Sequence, residues 1–425
     1  MQLDPPDSPE IPSSPPSALR ERLSTAALAL LLVPAAAGAE TGAATQVDFT
    51  SLYYGEQDRT QVFEPIVRAT RLFGDGQSIS AQLGLDIITG ASPSGALPSG
   101  TVQTMTSPSG RVTTVPAGQI PLTKFEDHRV GLDGEWRKPW GSLVTTSVGG
   151  HFSREKDYQS VGVNAKVTTD LVQHLFTVSA GGAFNDDSVF PVGGTPIGLS
   201  DGSEVSNKSN SKRVKSVLLG VSRVLTRRWI VSVDGTRTYE TGYLTEPYKV
   251  ISLVSPFNGL PVRQLTDNRP SSRTRSSALL SSVYHLSEDV VYASYRYYTD
   301  TWDVRSNTYD LRYRHDLSEG WFLEPHVRYY RQSAASFYTI GLSTILRPPD
   351  FATADYRLGR LSTLTLGANL GFRLGGSPSQ WTLRAEYIRQ KEDNPQSNEF
   401  GVQSKFDLSP TINTFTAVLG YSFNF

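Results

Sequence analysis

Charged side chains recur at every second position in several stretches of this sequence, a spacing that places them on one face of a strand. Arg129, Asp133, Glu135 and Arg137 form one such series, and Asp310, Arg312 and Arg314 a second. Glu324, His326 and Arg328 make a third, Arg384 and Glu386 a fourth. Carboxylates set beside guanidiniums and an imidazole could exchange protons, brace one another as ion pairs, or line a watery passage. A separate chemical candidate is the Thr89 hydroxyl, preceded by Asp86 and followed by Gly90, Ala91 and Ser92, where small neighbours leave the oxygen accessible as a nucleophile. No catalytic pattern accompanies either group. The six His fall on separate segments without His-x-x-x-His spacing, and neither a Gly-x-Ser-x-Gly elbow nor a Gly-rich phosphate loop occurs. The sequence therefore assigns no catalytic residue and no metal ligand. The alternating charges read as lumen-lining side chains, and His128, His151, His174 and His326 as hydrogen-bonding groups of a lumen or its rim.

The elements that must position these residues are strands. Ile79, Ala81, Leu83, Leu85 and Ile87 alternate with Ser78, Ser80, Gln82, Gly84 and Asp86, and Leu364, Leu366, Ala368, Leu370, Phe372 and Leu374 alternate with Thr365, Gly367, Asn369, Gly371 and Arg373. One-residue slips would invert every side chain, so register is well specified. At the C-terminus, Phe415, Ala417, Leu419, Tyr421, Phe423 and Phe425 share one face and the intervening residues are small or polar, apart from Val418. A chain ending on an aromatic strand of this kind resembles the segment by which bacterial outer-membrane barrels are recognised for insertion. Short turns are expected at Gly74 to Gly76, Lys138 to Gly141, Thr168 to Asp170, Thr226 to Arg228, Ser287 to Asp289, Ser318 to Gly320 and Gly375 to Ser379. Long loops alternate with them, the longest at residues 91–122, 186–211, 244–270, 332–354 and 390–411, with shorter ones near 56–61, 154–159 and 301–307. The pattern predicts an all-β chain, a transmembrane antiparallel β-barrel of about 16 strands and bacterial outer-membrane type, with both termini at the short-turn end. Trp136, Trp229, Trp321 and Trp381 sit beside short turns, where an aromatic girdle belongs.

Composition agrees. With no Cys among 425 residues there is neither disulfide nor thiolate chemistry, and a formal net charge of -1 gives no field for nucleic acid. A hydrophobic content of 38% suits a barrel whose lipid face uses alternate residues. Residues 1–39 read as a Pro/Ser-rich extension and secretory signal, with Arg20 and Arg22 before an apolar core from Leu23 to Val33 and small residues at Ala37-Gly38-Ala39. The barrel then occupies residues 40–425.

Several segments are more specific than the architecture. Thr106 to Gly110, Pro191 to Pro196, Gly242-Tyr-Leu-Thr-Glu-Pro-Tyr-Lys249, Arg269-Pro-Ser-Ser-Arg-Thr-Arg275, Ser294 to Tyr298, Leu323 to Ala335 and Ala354-Asp-Tyr-Arg-Leu-Gly359 resemble, in order, those of an outer-membrane family called domain of unknown function 3570, DUF3570. The resemblance implies a barrel and no established activity. It also implies an acidic residue after Pro270, where this chain has Ser271. Asp86 to Ser92 resembles the pattern on which periplasmic flavin transferases esterify FMN to a Thr hydroxyl, making Thr89 a candidate attachment point. Attachment requires the strand to end before Thr89, since outward alternation would otherwise place a phosphodiester in lipid. The expected function is a channel or uptake barrel for small solutes in the bacterial cell outer membrane. The alternative is a non-conducting barrel acting as a scaffold or flavin-bearing electron-transfer component. The partners implied are outer-membrane lipid and the barrel-assembly machinery, engaged through the strand ending at Phe425, with no nucleic acid.

Overall fold

Period-two alternation is realised along the strands of the barrel wall. The computed structural model describes residues 44–107, 110–172, 174–318, 320–373, 379–393 and 401–425. The expected signal, Leu374 and most of the turn at Gly375 to Ser379 lie outside the described residues. Sixteen strands close into one antiparallel barrel, each paired with its sequence neighbours in the wall. In chain order they are β1 (Ala44–Glu56), β2 (Gln61–Leu72), β3 (Ser78–Pro93), β4 (Leu122–Trp140), β5 (Val144–Arg154), β6 (Tyr158–Leu171), β7 (Phe176–Val189) and β8 (Asn210–Thr226). The second half is β9 (Trp229–Gly242), β10 (Ser272–His285), β11 (Val290–Asp300), β12 (Arg305–Ser318), β13 (Trp321–Gln332), β14 (Leu361–Phe372), β15 (Gln380–Glu392) and β16 (Ile412–Asn424). The seam is β1 against β16, from Gln46↔Asn424 to Glu56↔Thr414. Phe425 completes it by exchanging backbone hydrogen bonds with Thr45 at 2.8 and 2.9 Å.

The outward face carries large exposed apolar residues, Ile79, Leu83, Leu132, Val163, Leu219, Leu366 and Leu419 among them. At the short-turn end an aromatic girdle follows: Trp381 and Tyr421 have ring centroids 4.4 Å apart, Trp321 and Phe372 4.9 Å, and Phe423 and Phe425 5.8 Å. Such a belt sits where hydrocarbon gives way to headgroups.

Several strand ends differ from the sequence expectation. β4 continues through Pro139 to Trp140, paired with Thr145 and Val144, so the turn expected at Lys138 begins later. β6 runs to Leu171, past the turn expected at Thr168 to Asp170. The loop expected to close at residue 354 runs to residue 360, with β14 starting at Leu361. β3 extends to Pro93, paired with Leu122. The cause in β3 and β4 is visible on their outward face, where Lys124, Glu126 and His128 are exposed. There the wall stands clear of lipid, so it needs hydrogen bonds but no apolar residues, and a Ser/Thr/Gly-rich stretch still pairs.

Two prolines lie inside wall strands at gaps in the ladder. Pro65 falls where the β2–β3 register skips from Phe63↔Ile87 to Ile66↔Gly84, and Pro325 where β12–β13 skips from Arg312↔His326 to His315↔Leu323. A missing N–H costs nothing where no partner waits. Each gap carries an inward glutamate, Glu64 and Glu324, facing Arg129 and Arg312 at 3.6 Å.

Candidate functional site

The long loops do not wave free above the wall; they fold together. Residues 243–271, between β9 and β10, and residues 333–360, between β13 and β14, share a three-stranded sheet in which Val250–Val254 pairs with Pro261–Thr266 and with Gly341–Ser343. Ile251, Leu265, Leu342 and Ala352 form one apolar core in this layer, and Leu97, Val254 and Ile340 another. Leu97 belongs to the loop after β3, and its N–H donates to Ser252 Oγ at 2.9 Å. The buried Gln403, from the loop before β16, donates to Pro98 O at 3.1 Å and Gly259 O at 2.8 Å. In a ring of sixteen strands, β9 and β10 lie opposite β1, β2 and the seam. A loop that leaves β9 and is bonded to the loops after β3 and before β16 therefore crosses the mouth. These loops make a cap spanning the long-loop end of the barrel.

Its centre is a buried ion cluster. Asp355, 2% exposed, accepts from Arg269 Nη2 at 2.9 Å and from Arg357 Nε at 2.7 Å and Nη2 at 2.5 Å. Arg269 Nε also donates to Asp267 at 2.6 Å, and Glu246 lies 3.7 Å from Arg357. Lys249 reaches the end of β3, donating to Ser92 Oγ at 3.1 Å and to the Pro93 carbonyl. The cap is thereby tied to the wall on the far side from β9 and β10.

Burial and the neighbouring charges together set the protonation of these groups. Burial pulls the Lys249 ammonium down to about 8, with Arg357 and Arg269 alongside and Asp355 and Glu246 opposing. Burial would raise the Asp355 carboxyl, but the Arg357 and Arg269 guanidiniums win and hold it well below the ordinary carboxylate range. Burial pushes Asp267 up against the pull of Arg269. A carboxyl with a depressed folded pKa contributes stability that is complete above its unfolded value and lost as pH falls through the folded one, whereas Asp267 acts in the opposite direction. With its two guanidinium partners Asp355 dominates, and the cap is expected to loosen progressively below about pH 4, the ordinary Asp range. Protease protection of residues 333–360 measured from pH 7 downward should fall in that window, while a flat profile to pH 2 would count against the assignment.

The expected lumen residues lie on the inward face. Arg129 pairs with Asp86, and the His151 ring nitrogen lies 2.7 Å from Asp133. His326 bridges Asp310 and Glu386 at 2.9 Å each. Arg312 lies 3.6 Å from Glu324 and 3.7 Å from Asp310, and Arg314 3.0 Å from Asp316 with its guanidinium over the Phe322 ring. Glu135, Arg137, Arg328 and Arg384 share the inward parity of these residues. His128 instead faces outward at the rim, 3.7 Å from Glu126. The expected strand end before Thr89 is not found. Thr89 is paired with Gln61 and Glu126 inside β3, at a level where the outward face is charged, so it meets water rather than lipid, but on a laddered strand. Gly90 is required there: at φ +146° it admits the Arg59 carbonyl, which a Cβ would approach to 2.2 Å. Any flavin transfer to Thr89 would thus precede folding. Asp127, Glu155 and Asp157 bring carboxylate oxygens within 4.8 Å of one another, where a cation could sit, although Tyr248 already shares Asp157.

The cluster residues Glu246, Lys249, Asp267, Arg269, Asp355 and Arg357 were not among the expected site residues. Their signal was present: five of the six lie within or beside the family-like segments 242–249, 269–275 and 354–359, which the fold brings together.

The family model described as "Protein of unknown function (DUF3570)" matches residues 20–423. The chain belongs to DUF3570. No curated protein gives a significant match. Among solved structures, a mutant of the monoaromatic hydrocarbon channel TodX is similar over 93% of this chain and 94% of that one, at 12% identity and a TM-score of 0.43. The outer membrane protein opdK from Pseudomonas aeruginosa is similar over 90% and 99%, at 8% identity and a TM-score of 0.40. A Pseudomonas aeruginosa FadL homologue is similar over 90% and 89%, at 13% identity and a TM-score of 0.38. The closed ring of sixteen antiparallel strands gives this DUF3570 chain the architecture of an outer-membrane-type β-barrel.

Proposed function

We infer that this DUF3570 barrel is a channel for small solutes in the bacterial outer membrane, with the short turns in the periplasm, the long loops outside, and passage controlled by the loop cap. The observation that carries the reading is solvent-accessible charge on the inward face of the wall. On the inward face the side chains of Asp133 and Arg312 are 46% and 38% exposed although both belong to wall strands. A sixteen-stranded wall is wide enough for an aqueous passage, and paired charges of both signs suit one. The cap favours selective passage over free diffusion, because it crosses the mouth and is held by buried ion pairs. Purified protein in planar bilayers is expected to show small ohmic steps. Silence, both from the native chain and after the cap has been loosened, would favour the non-conducting scaffold instead.

A further inference from the structure

The outward face of β12 to β15 ends, on the long-loop side, in a group of cations. Arg305 on β12, Arg331 on β13, and Arg389 and Lys391 on β15 are all exposed and share the outward parity of Tyr309, Tyr329 and Tyr387. The ladder sets their spacing. Ser362 on β14 stands opposite both Arg331 and Lys391, so two inter-strand steps, about 10 Å, separate the α-carbons of those two cations. Arg389 lies two residues before Lys391 on the same face, about 7 Å away. The Ser333 N–H donates to the Arg305 carbonyl at 2.9 Å, which places Arg305 diagonally across from Arg331 at roughly 7–8 Å. Among the described residues none of the four has a carboxylate within salt-bridge distance; Asp303 and Asp393, each two residues from one of them, are not paired with them. Elsewhere on the rim outward charges are found engaged, Asp186 with Arg213 at 3.5 Å, Glu126 with His128 at 3.7 Å, and Arg237 over the Tyr239 ring at 5.4 Å.

The height of the cations on the wall decides what they meet. Tyr309, Tyr329 and Tyr387 lie one or two same-face positions below them, and Leu311, Val327, Leu366 and Leu383 lie lower still, all exposed. Aromatic side chains gather where hydrocarbon gives way to headgroups, so the cations stand at headgroup level. Basic side chains at a membrane surface are drawn to anionic headgroups, and the guanidinium fork matches phosphate oxygens. With the long loops outside, the leaflet at this height is the outer one, which in a bacterial outer membrane is built of phosphorylated glycolipid. We propose that Arg305, Arg331, Arg389 and Lys391 form a docking site for the phosphates of an outer-leaflet glycolipid, whose acyl chains lie along the apolar face beneath the tyrosines. The proposal rests on the orientation given above and not on conduction.

The test is retention of lipid A, the bisphosphorylated glycolipid, by the purified barrel in non-ionic detergent micelles, counted by native mass spectrometry. The same lipid stripped of its phosphates and phosphatidylglycerol serve as comparisons. The native barrel should retain lipid A and neither of the others to the same extent. Arg331→Gln and Lys391→Gln should each weaken retention about fivefold, the effect of one basic residue at an anionic surface. Lys215→Gln, which removes an exposed outward cation on β8, should leave it unchanged. Folding of each variant is checked by heat-modifiable mobility. Equal retention of lipid A and its dephosphorylated form, or native retention by both the Arg331 and Lys391 variants, overturns the phosphate site. Phosphatidylglycerol held as tightly as lipid A overturns the choice of glycolipid. An epitope inserted beside the exposed Phe257 and labelled on intact cells reads the orientation separately; an epitope that stays hidden there overturns the outer-leaflet assignment, whatever the micelle measurement gives.

Discussion

Replacing Asp355 by Ala is expected to open the cap while leaving the barrel closed. The carboxylate is buried between Arg269 and Arg357, and its removal leaves two buried guanidiniums with a reduced set of counter-charges. Breaking a buried ion pair on one side costs about 3–5 kcal/mol, more than the cap's small apolar clusters can absorb. The sixteen-strand ladder has no share in this contact, so the variant should still migrate as a folded, heat-modifiable barrel. Limited trypsin digestion should newly cut within the cap, at the Arg263–Gln264 and Arg357–Leu358 bonds. Conductance steps should grow. Trypsin resistance and conductance equal to those of the native chain would show that Asp355 does not hold the cap.

Deleting Phe425 should have a comparably large effect at the opposite end. The residue supplies both backbone hydrogen bonds that finish the β1–β16 seam and a ring stacked on Phe423 in the girdle. Losing an aromatic side chain from an apolar interface costs about 2 kcal/mol, and the seam opens one step earlier. Most of the truncated chain is expected to accumulate unassembled in the periplasm. Fractionation that finds it in the outer membrane as heat-modifiable barrel at native yield would contradict this.

The wall was legible in the sequence because its signal is local. Each strand needs only an apolar residue at every second place, and Leu364 to Leu370 or Phe415 to Phe425 announce this without reference to the rest of the chain. The girdle tryptophans were legible for the same reason, being tied to turn positions. The upper ends of β3 and β4 were not, since above the lipid a strand loses its apolar alternation while keeping its hydrogen bonds, and Thr89 to Pro93 reads as a loop. The cap was least legible. Its cores join residues far apart in the chain, such as Leu97 with Ile340, and its ion cluster joins Glu246 with Arg357. No periodicity links such positions, and a charged residue in a loop looks solvated until the fold buries it. What the sequence did show was that specific, non-repeating segments cluster at loop ends and inward strand faces, and three of them, 242–249, 269–275 and 354–359, meet at Asp355.

The central claim is that the cap controls passage through a hydrated lumen, and a cross-link tests it most directly. Asn268 and Ala352 exchange backbone hydrogen bonds at 3.0 and 3.1 Å, joining the loop after β9 to the loop after β13. Such an antiparallel pair has α-carbons roughly 5.5 Å apart, within disulfide reach, and the native chain has no cysteine to interfere. Conductance of the Asn268→Cys/Ala352→Cys variant in planar bilayers should be low when oxidised and return to the native level on reduction. Native-sized steps that persist unchanged in the oxidised, fully cross-linked protein would contradict the account.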